Sequence, residues 1–196
     1  MVSPKTAHNH PDFLNKQSWE IAREKSVLAR SEKDIVNRAV IAKEGMAFAD
    51  SCVMRTPEES ACYYYRAINT NIYIRATGKK HEERKLKTII SDLKRVIALN
   101  DKFDHGGAYR NLGRLYSENG LKDTLTAISY LEKAVQTDAN YPENHIYLAQ
   151  AMLDAGMKEE AREHLKDSIS LVSQWKTNDG YPIWVETNKA ISQKLD

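Results

Sequence analysis

Arg110 and Arg114 stand four residues apart, a spacing that puts two guanidinium groups on one face of a helix. Two such groups suit a carboxylate or another anion, because each can donate two parallel hydrogen bonds. Asn111 lies beside them, and Tyr147 and Gln150 hold matching places 36 residues further on. The competing role for the arginines is structural, as ion-pair partners of Glu118 or Glu143. A second set is Arg66, Asn69 and Tyr73, at i, i+3 and i+7, which makes a polar and aromatic stripe with Tyr65 nearby. Tyr63, Tyr64 and Tyr65 diverge by about 100° per residue and cannot all face one core. Some of them line a groove, pack on a neighbouring helix pair or meet water. Hydrogen bonding between helices is the alternative use of the Arg66 stripe.

Cys52 and Cys62 flank the turn around Pro57. In an antiparallel helix pair, residues about equally far from the turn come opposite one another. A bridge needs Cα atoms within roughly 7 Å, which such a hairpin can meet. Two buried thiols are the alternative. Reactive chemistry or metal binding would call for more ligands or a Cys-x-x-Cys spacing. In an oxidising compartment the pair is expected to be bridged.

The remaining chemistry-bearing residues form no catalytic pattern. His81, His105, His145 and His164 show no ligand spacing with another His or Cys. His8-Asn9-His10 could hold a metal, but it sits in a polar terminal run that reads as a solvated tail. No glycine-rich phosphate loop, Gly-x-Ser-x-Gly or His-Glu-x-x-His occurs. Glu82-Glu83 and Glu159-Glu160 read as solvated acids on polar helix faces. The expectation is a chain without turnover of its own, with no cofactor and no metal.

Composition narrows the partners. Lys plus Arg number 29 and Asp plus Glu 27, for a net charge of +2, which excludes a dominant nucleic-acid or acidic-membrane partner. Hydrophobic residues make up 41% and charged residues 29%, as in a globular chain rather than a disordered one. Eight Gly and five Pro are few for an all-β protein of 196 residues. No apolar run approaches the ~20 residues of a membrane helix. The polar start has no apolar signal core, so the chain reads as cytosolic or as a mature exported form whose signal was removed.

The elements that would position these residues follow the helix period from Phe13 onward. Residues 1–12 read as a flexible lead-in and 13–196 as a single helical-repeat domain. Ser31 is expected to cap a helix with Asp34 in its first turn. That helix runs to Met54 and stops at Thr56-Pro57. A third helix spans about Glu58 to Ala76 and ends at Gly78. A fourth presents Leu86, Ile89, Ile90, Leu93, Val96 and Ile97. Past residue 100 the pattern repeats. Leu112-Gly113-Arg114-Leu115-Tyr116 is answered by Leu148-Ala149-Gln150-Ala151-Met152, and Gly120 by Gly156. Ala127, Leu131 and Ala134 are answered by Ala161, Leu165 and Ser168. Small residues let two antiparallel helices approach, and each pair buries its remaining apolar face on the next, as in a solenoid. Thr177 to Pro182 is a loop, and Ile183 to Leu195 a last, capping helix.

These runs resemble the tetratricopeptide repeat, clearly over 106–141 and 142–175 and loosely over 20–57 and 58–103. The fold expected is therefore all-α, a degenerate tetratricopeptide-repeat solenoid of stacked antiparallel helix pairs. In that repeat the Arg110, Asn111 and Arg114 face lines a concave groove. Ala61-Cys62-Tyr63-Tyr64-Tyr65-Arg66-Ala67-Ile68-Asn69, with Asp104-His105-Gly106-Gly107-Ala108-Tyr109-Arg110-Asn111-Leu112-Gly113-Arg114-Leu115-Tyr116, looks more closely like the T component associated with tripartite ATP-independent periplasmic transporters. That resemblance implies an exported, non-catalytic accessory subunit in the periplasm or cell envelope. It would oligomerise and dock a periplasmic solute-binding protein, in a solute-uptake system. Its members are often lipoproteins, and the lipidated cysteine is absent from this sequence. The alternatives are a general peptide- or protein-docking scaffold, cytoplasmic or periplasmic, and a carrier of small molecules or lipids. The recognition surface expected is Tyr65, Arg66, Asn69, Tyr73, Arg110, Asn111, Arg114, Tyr147 and Gln150, facing a protein, a peptide or a carboxylate ligand.

Overall fold

The computed structural model describes residues 17–78, 83–118 and 121–195. The expected lead-in over 1–12, together with His81 and Gly120, lies outside the described residues. Among the described residues all regular structure is helical. The chain divides into two compact units, Met1–Lys79 and Lys80–Asp196.

The first unit contains α1 (Ser18–Ser31), α2 (Ile35–Arg55) and α3 (Ser60–Thr77), each packed against the other two. Gln17 and Glu20 cap α1 reciprocally. Ser31 does not cap α2. It is the last residue of α1, and its hydroxyl donates back to the Leu28 carbonyl. Asp34 is the cap, accepting the Asn37 N–H at 2.7 Å, since a carboxylate also answers the positive end of the helix dipole. The core of this unit includes the fully buried Ala22, Ala29, Ala42 and Ala49, which let the helices approach closely, with Ile21, Tyr64, Ile68 and Ile74 filling the space beside them. At Gly45 an added Cβ would lie 2.3 Å from Asn69 Oδ1, so only glycine leaves room for that side chain.

Cys52 near the end of α2 and Cys62 near the start of α3 form a disulfide, with Cα atoms 5.4 Å apart. The bridge closes a loop ten residues long, for which the chain-entropy relation gives about 2–3 kcal/mol of stabilisation. Protein made in an oxidising compartment should therefore show no free thiol by intact mass after alkylation without reductant. Two alkylated cysteines in native, unreduced protein would contradict this.

The second unit contains α4 (Glu83–Asn100), α5 (Gly107–Glu118), α6 (Thr124–Thr137), α7 (Pro142–Asp154), α8 (Lys158–Val172), a short 3-10 turn (Ser173–Trp175) and α9 (Tyr181–Leu195). Helices α5 and α6 form one antiparallel hairpin and α7 and α8 the next, matching the repeats read over 106–141 and 142–175. Leu112, Ala127, Leu131 and Ala134 are buried at the first hairpin, and Ala149, Ala161, Leu165 and Ser168 at the second. Each fully buried leucine contributes roughly 1.5–3 kcal/mol by leaving water. At Gly113 an added Cβ would lie 2.4 Å from Leu131 Cγ and 3.0 Å from the Ala127 carbonyl, so this glycine sets how closely α5 meets α6. Tyr116 stacks on Tyr130 of α6, centroids 5.7 Å apart, which completes the inward face of the Leu-Gly-x-x-Tyr run. Pro142 starts α7, where its missing N–H costs nothing. At the C-terminal end α9 packs on α7 and α8 through Trp184, Asn188, Ile191 and Leu195, as a capping helix.

Candidate functional site

Four of the expected recognition residues lie on α5 and α7, and two of them, Arg114 and Tyr147, meet between the helices. Asn111 and Arg114 come from α5, Tyr147 and Gln150 from α7, and all four are half-buried. The Arg114 guanidinium carbon lies 4.2 Å from the centre of the Tyr147 ring, a cation–π arrangement. Gln150 donates to Asp154 Oδ1 at 2.8 Å, and Asn111 donates to the Gly107 carbonyl one turn back. These contacts orient the side chains, and each residue still reaches solvent. The surface thus combines a cation, an aromatic face and two carboxamides, which suits a carboxylate or a peptide backbone.

Arg110 does not join that surface. It is 3% exposed and turned towards the base of α7. Its Nε pairs with Glu143 at 3.0 Å, and its NH2 group pairs with Asp104 at 2.8 Å. Its NH1 group donates to Asn144 Oδ1 at 2.9 Å, and its guanidinium covers the Tyr141 ring at 4.9 Å. The reason is its place in the first turn of α5. Side chains on a helix lean towards its N-terminus, so the long arm of Arg110 reaches back over the turn that precedes the helix. That turn takes φ values of 50°, 58° and 75° at Asp104, His105 and Gly106, and the Asp104 and His105 carbonyls also receive hydrogen bonds from Arg110. Asn144, fully buried, donates to the carbonyls of His105, Ala134 and Asp138. His105 pairs with Asp138 at 2.7 Å and stacks on Tyr141. Arg110 is thus the centre of a polar tie between successive repeats. Of the two acids weighed as its partners, Glu143 fills the role, and the Glu118 side chain lies outside the described set.

The residues of α3 belong to the first unit. Tyr65 is half-buried and stacks on Trp19, centroids 6.2 Å apart, with Tyr64 edge-on to it. Arg66 pairs with Asp50 of α2 at 3.1 Å and lies over the Tyr63 ring. Tyr73 is half-buried two turns further on. Asn69 is 0% exposed, and its amide donates to the Ala22 carbonyl of α1 and the Tyr65 carbonyl of α3. It is an interior tie between helices, because Gly45 opens a place for it that a periodicity argument does not reveal.

One cluster went unread in the sequence. His145 of α7 meets His164 and Asp167 of α8, although no ligand spacing links the two histidines along the chain. The available signal was the i, i+3 relation of His164 and Asp167, which puts them on one helix face.

Among the described residues no helix is long and apolar enough to cross a membrane. Residues 120–170 match the tetratricopeptide repeat family, a stretch that covers α6, α7 and most of α8. No curated protein matches the chain in sequence. Among solved structures it is similar to TTC0263, a thermophilic tetratricopeptide-repeat protein of Thermus thermophilus. There the TM-score is 0.69 at 17% identity, over 94% of this chain and 84% of that one. It is also similar to MamA, residue 41 to the end, from Desulfovibrio magneticus RS-1, with a TM-score of 0.54 at 13% identity over 92% of both chains. At these identities the likeness is one of fold. The chain therefore has an all-α fold of tetratricopeptide type, with its repeat-family match running from α6 through α7 into α8.

Proposed function

We propose that the chain is a non-catalytic interaction scaffold that binds an acidic or carboxylate-bearing segment of a protein partner on the α5–α7 face. The observation that carries this reading is Arg114 held over Tyr147, on neighbouring first helices of two successive repeats that also carry the half-buried Asn111 and Gln150. Such a face offers charge, an aromatic plate and carboxamides at little ordering cost, since Tyr147 already holds the arginine. The finer reading is an exported accessory subunit of the tripartite ATP-independent periplasmic transport type, with a periplasmic solute-binding protein as partner. Its supports are the resemblance around Ala61 to Asn69 and Asp104 to Tyr116, and the Cys52–Cys62 bridge, which suits an oxidising compartment.

The test is a calorimetric titration with a periplasmic solute-binding protein and, separately, with an acidic peptide, alongside a melting curve. Arg114→Ala should leave the melting temperature nearly unchanged and weaken binding by about 1–3 kcal/mol, the range for a hydrogen bond to a charged group. Unchanged affinity would move the site off this face. Failure of any solute-binding protein to bind, with an acidic peptide still bound through Arg114, would remove the transport assignment and leave the general scaffold.

A further inference from the structure

We propose that His145, His164 and Asp167 form a binding site for a divalent transition metal of the zinc class, stapling α7 to α8. One ligand atom from each of the three residues can be chosen so that all lie within 4.8 Å of one another. His145 Nδ1 is 3.2 Å from His164 Nδ1 and 3.7 Å from Asp167 Oδ2. Two nitrogens bound to zinc at ~2.05 Å and separated by that first distance subtend about 100° at the metal, close to the tetrahedral angle. The nitrogen–oxygen separation corresponds to about 130° at the same bond lengths, which a small rotation of an exposed aspartate corrects.

The outer shell is also in place. His145 is 4% exposed, and its Nε2 lies 3.0 Å from the Ala139 carbonyl. A carbonyl only accepts, so Nε2 carries a proton, and in the neutral ring Nδ1 then presents its lone pair to the site. This is the arrangement by which a backbone carbonyl fixes the tautomer of a metal-ligating histidine. Without metal, His164 Nδ1–H donates to that lone pair. Metal binding moves the His164 proton to Nε2, so two neutral imidazoles and one carboxylate become the ligands. His164 is held below the ordinary imidazole range, first by burial and then by His145, while Asp167, Glu132 and Glu163 pull the other way. Asp167 is exposed, so an ion can enter from solvent on that side, and water can complete the coordination. Two imidazoles and one carboxylate favour zinc or a neighbouring transition metal over calcium or magnesium. His145 and Tyr147 differ by about 200° around α7, so the staple lies on the opposite side of that helix from the recognition face.

The test uses the full chain, stripped with chelator, in a His8→Ala, His10→Ala background that removes the terminal histidines. Titration with zinc by calorimetry is expected to give one ion per chain, and zinc should raise the melting temperature. Cobalt added in place of zinc should give the visible absorption of a four-coordinate nitrogen and oxygen site. His164→Ala and Asp167→Ala should each lower zinc affinity about tenfold or more, while His105→Gln leaves it unchanged. Should His164→Ala lose helix by circular dichroism, Asp167→Ala decides alone, because its side chain is exposed. Absence of saturable zinc binding in the parent overturns the proposal, as does unchanged affinity in Asp167→Ala.

Discussion

Replacing Arg110 by alanine is expected to destabilise the second unit by about 3–5 kcal/mol, the usual cost of removing one member of a buried ion pair. The charge of Arg110 is balanced by Asp104 and Glu143, and its guanidinium also satisfies Asn144 and two carbonyls of the turn before α5. Alanine removes the cation and leaves those groups to find water. Asp104 and Glu143 are 34% and 22% exposed, so water recovers part of the loss, and the lower end of the range is expected. Asn144 is fully buried and cannot recover in the same way. A urea titration followed by circular dichroism measures the effect, with a melting-temperature fall on the order of 10 °C. Arg114→Ala, at the same helix face four residues on, should melt close to the parent. A pair of equal, small effects would mean that Arg110 is not the tie its contacts describe. An Arg110→Ala, Asn144→Ala double variant should lose less than the two single losses added together, because the two side chains share a hydrogen bond.

Trp184→Ala should cost a further 3–5 kcal/mol in its own background, roughly the range for deleting a buried tryptophan. Trp184 is 3% exposed and packs edge-on to Tyr141 and Trp175, with centroids 5.3 and 6.4 Å away. Tyr141 in turn carries the Arg110 guanidinium and stacks on His105. The ring is therefore the main anchor by which α9 closes the end of the second unit. A second, weaker anchor is the hydrogen bond between Ser168 and Asn188 at 3.0 Å. With the ring gone, α9 should detach before the rest of the unit unfolds. Limited trypsin digestion is expected to cut after Lys176 in the variant much faster than in the parent, while hydrogen exchange in α5 and α6 changes little. Equal cutting rates would show that Ile191 and Leu195 hold the helix without the indole.

The repeat was legible in the sequence because it depends on local quantities. The period of 3.6 residues identifies the buried stripe, and Gly113 and Ala149 mark where two helix backbones must approach. Both follow from residue volume and spacing, and the α5–α6 and α7–α8 hairpins obey them. The pairing of Cys52 with Cys62 was open to the same reasoning, since a hairpin turn relates positions on either side of it. Asn111, Arg114, Tyr147 and Gln150 share a face for the same reason, one repeat apart on successive first helices. Periodicity assigns a direction around the helix but not a depth. Arg110 points along the same side as Arg114, yet its first-turn position lets its arm fold back into the preceding turn and against α7. Asn69 looked like part of a polar stripe, and the space opposite Gly45 made it an interior residue. The meeting of His145 with His164 and Asp167 depends on how far α8 slides along α7, and that offset is set by packing between the hairpin's facing side chains. Helix faces are encoded residue by residue, whereas the depth of a long side chain and the offset between two helices emerge only when the surfaces are packed together.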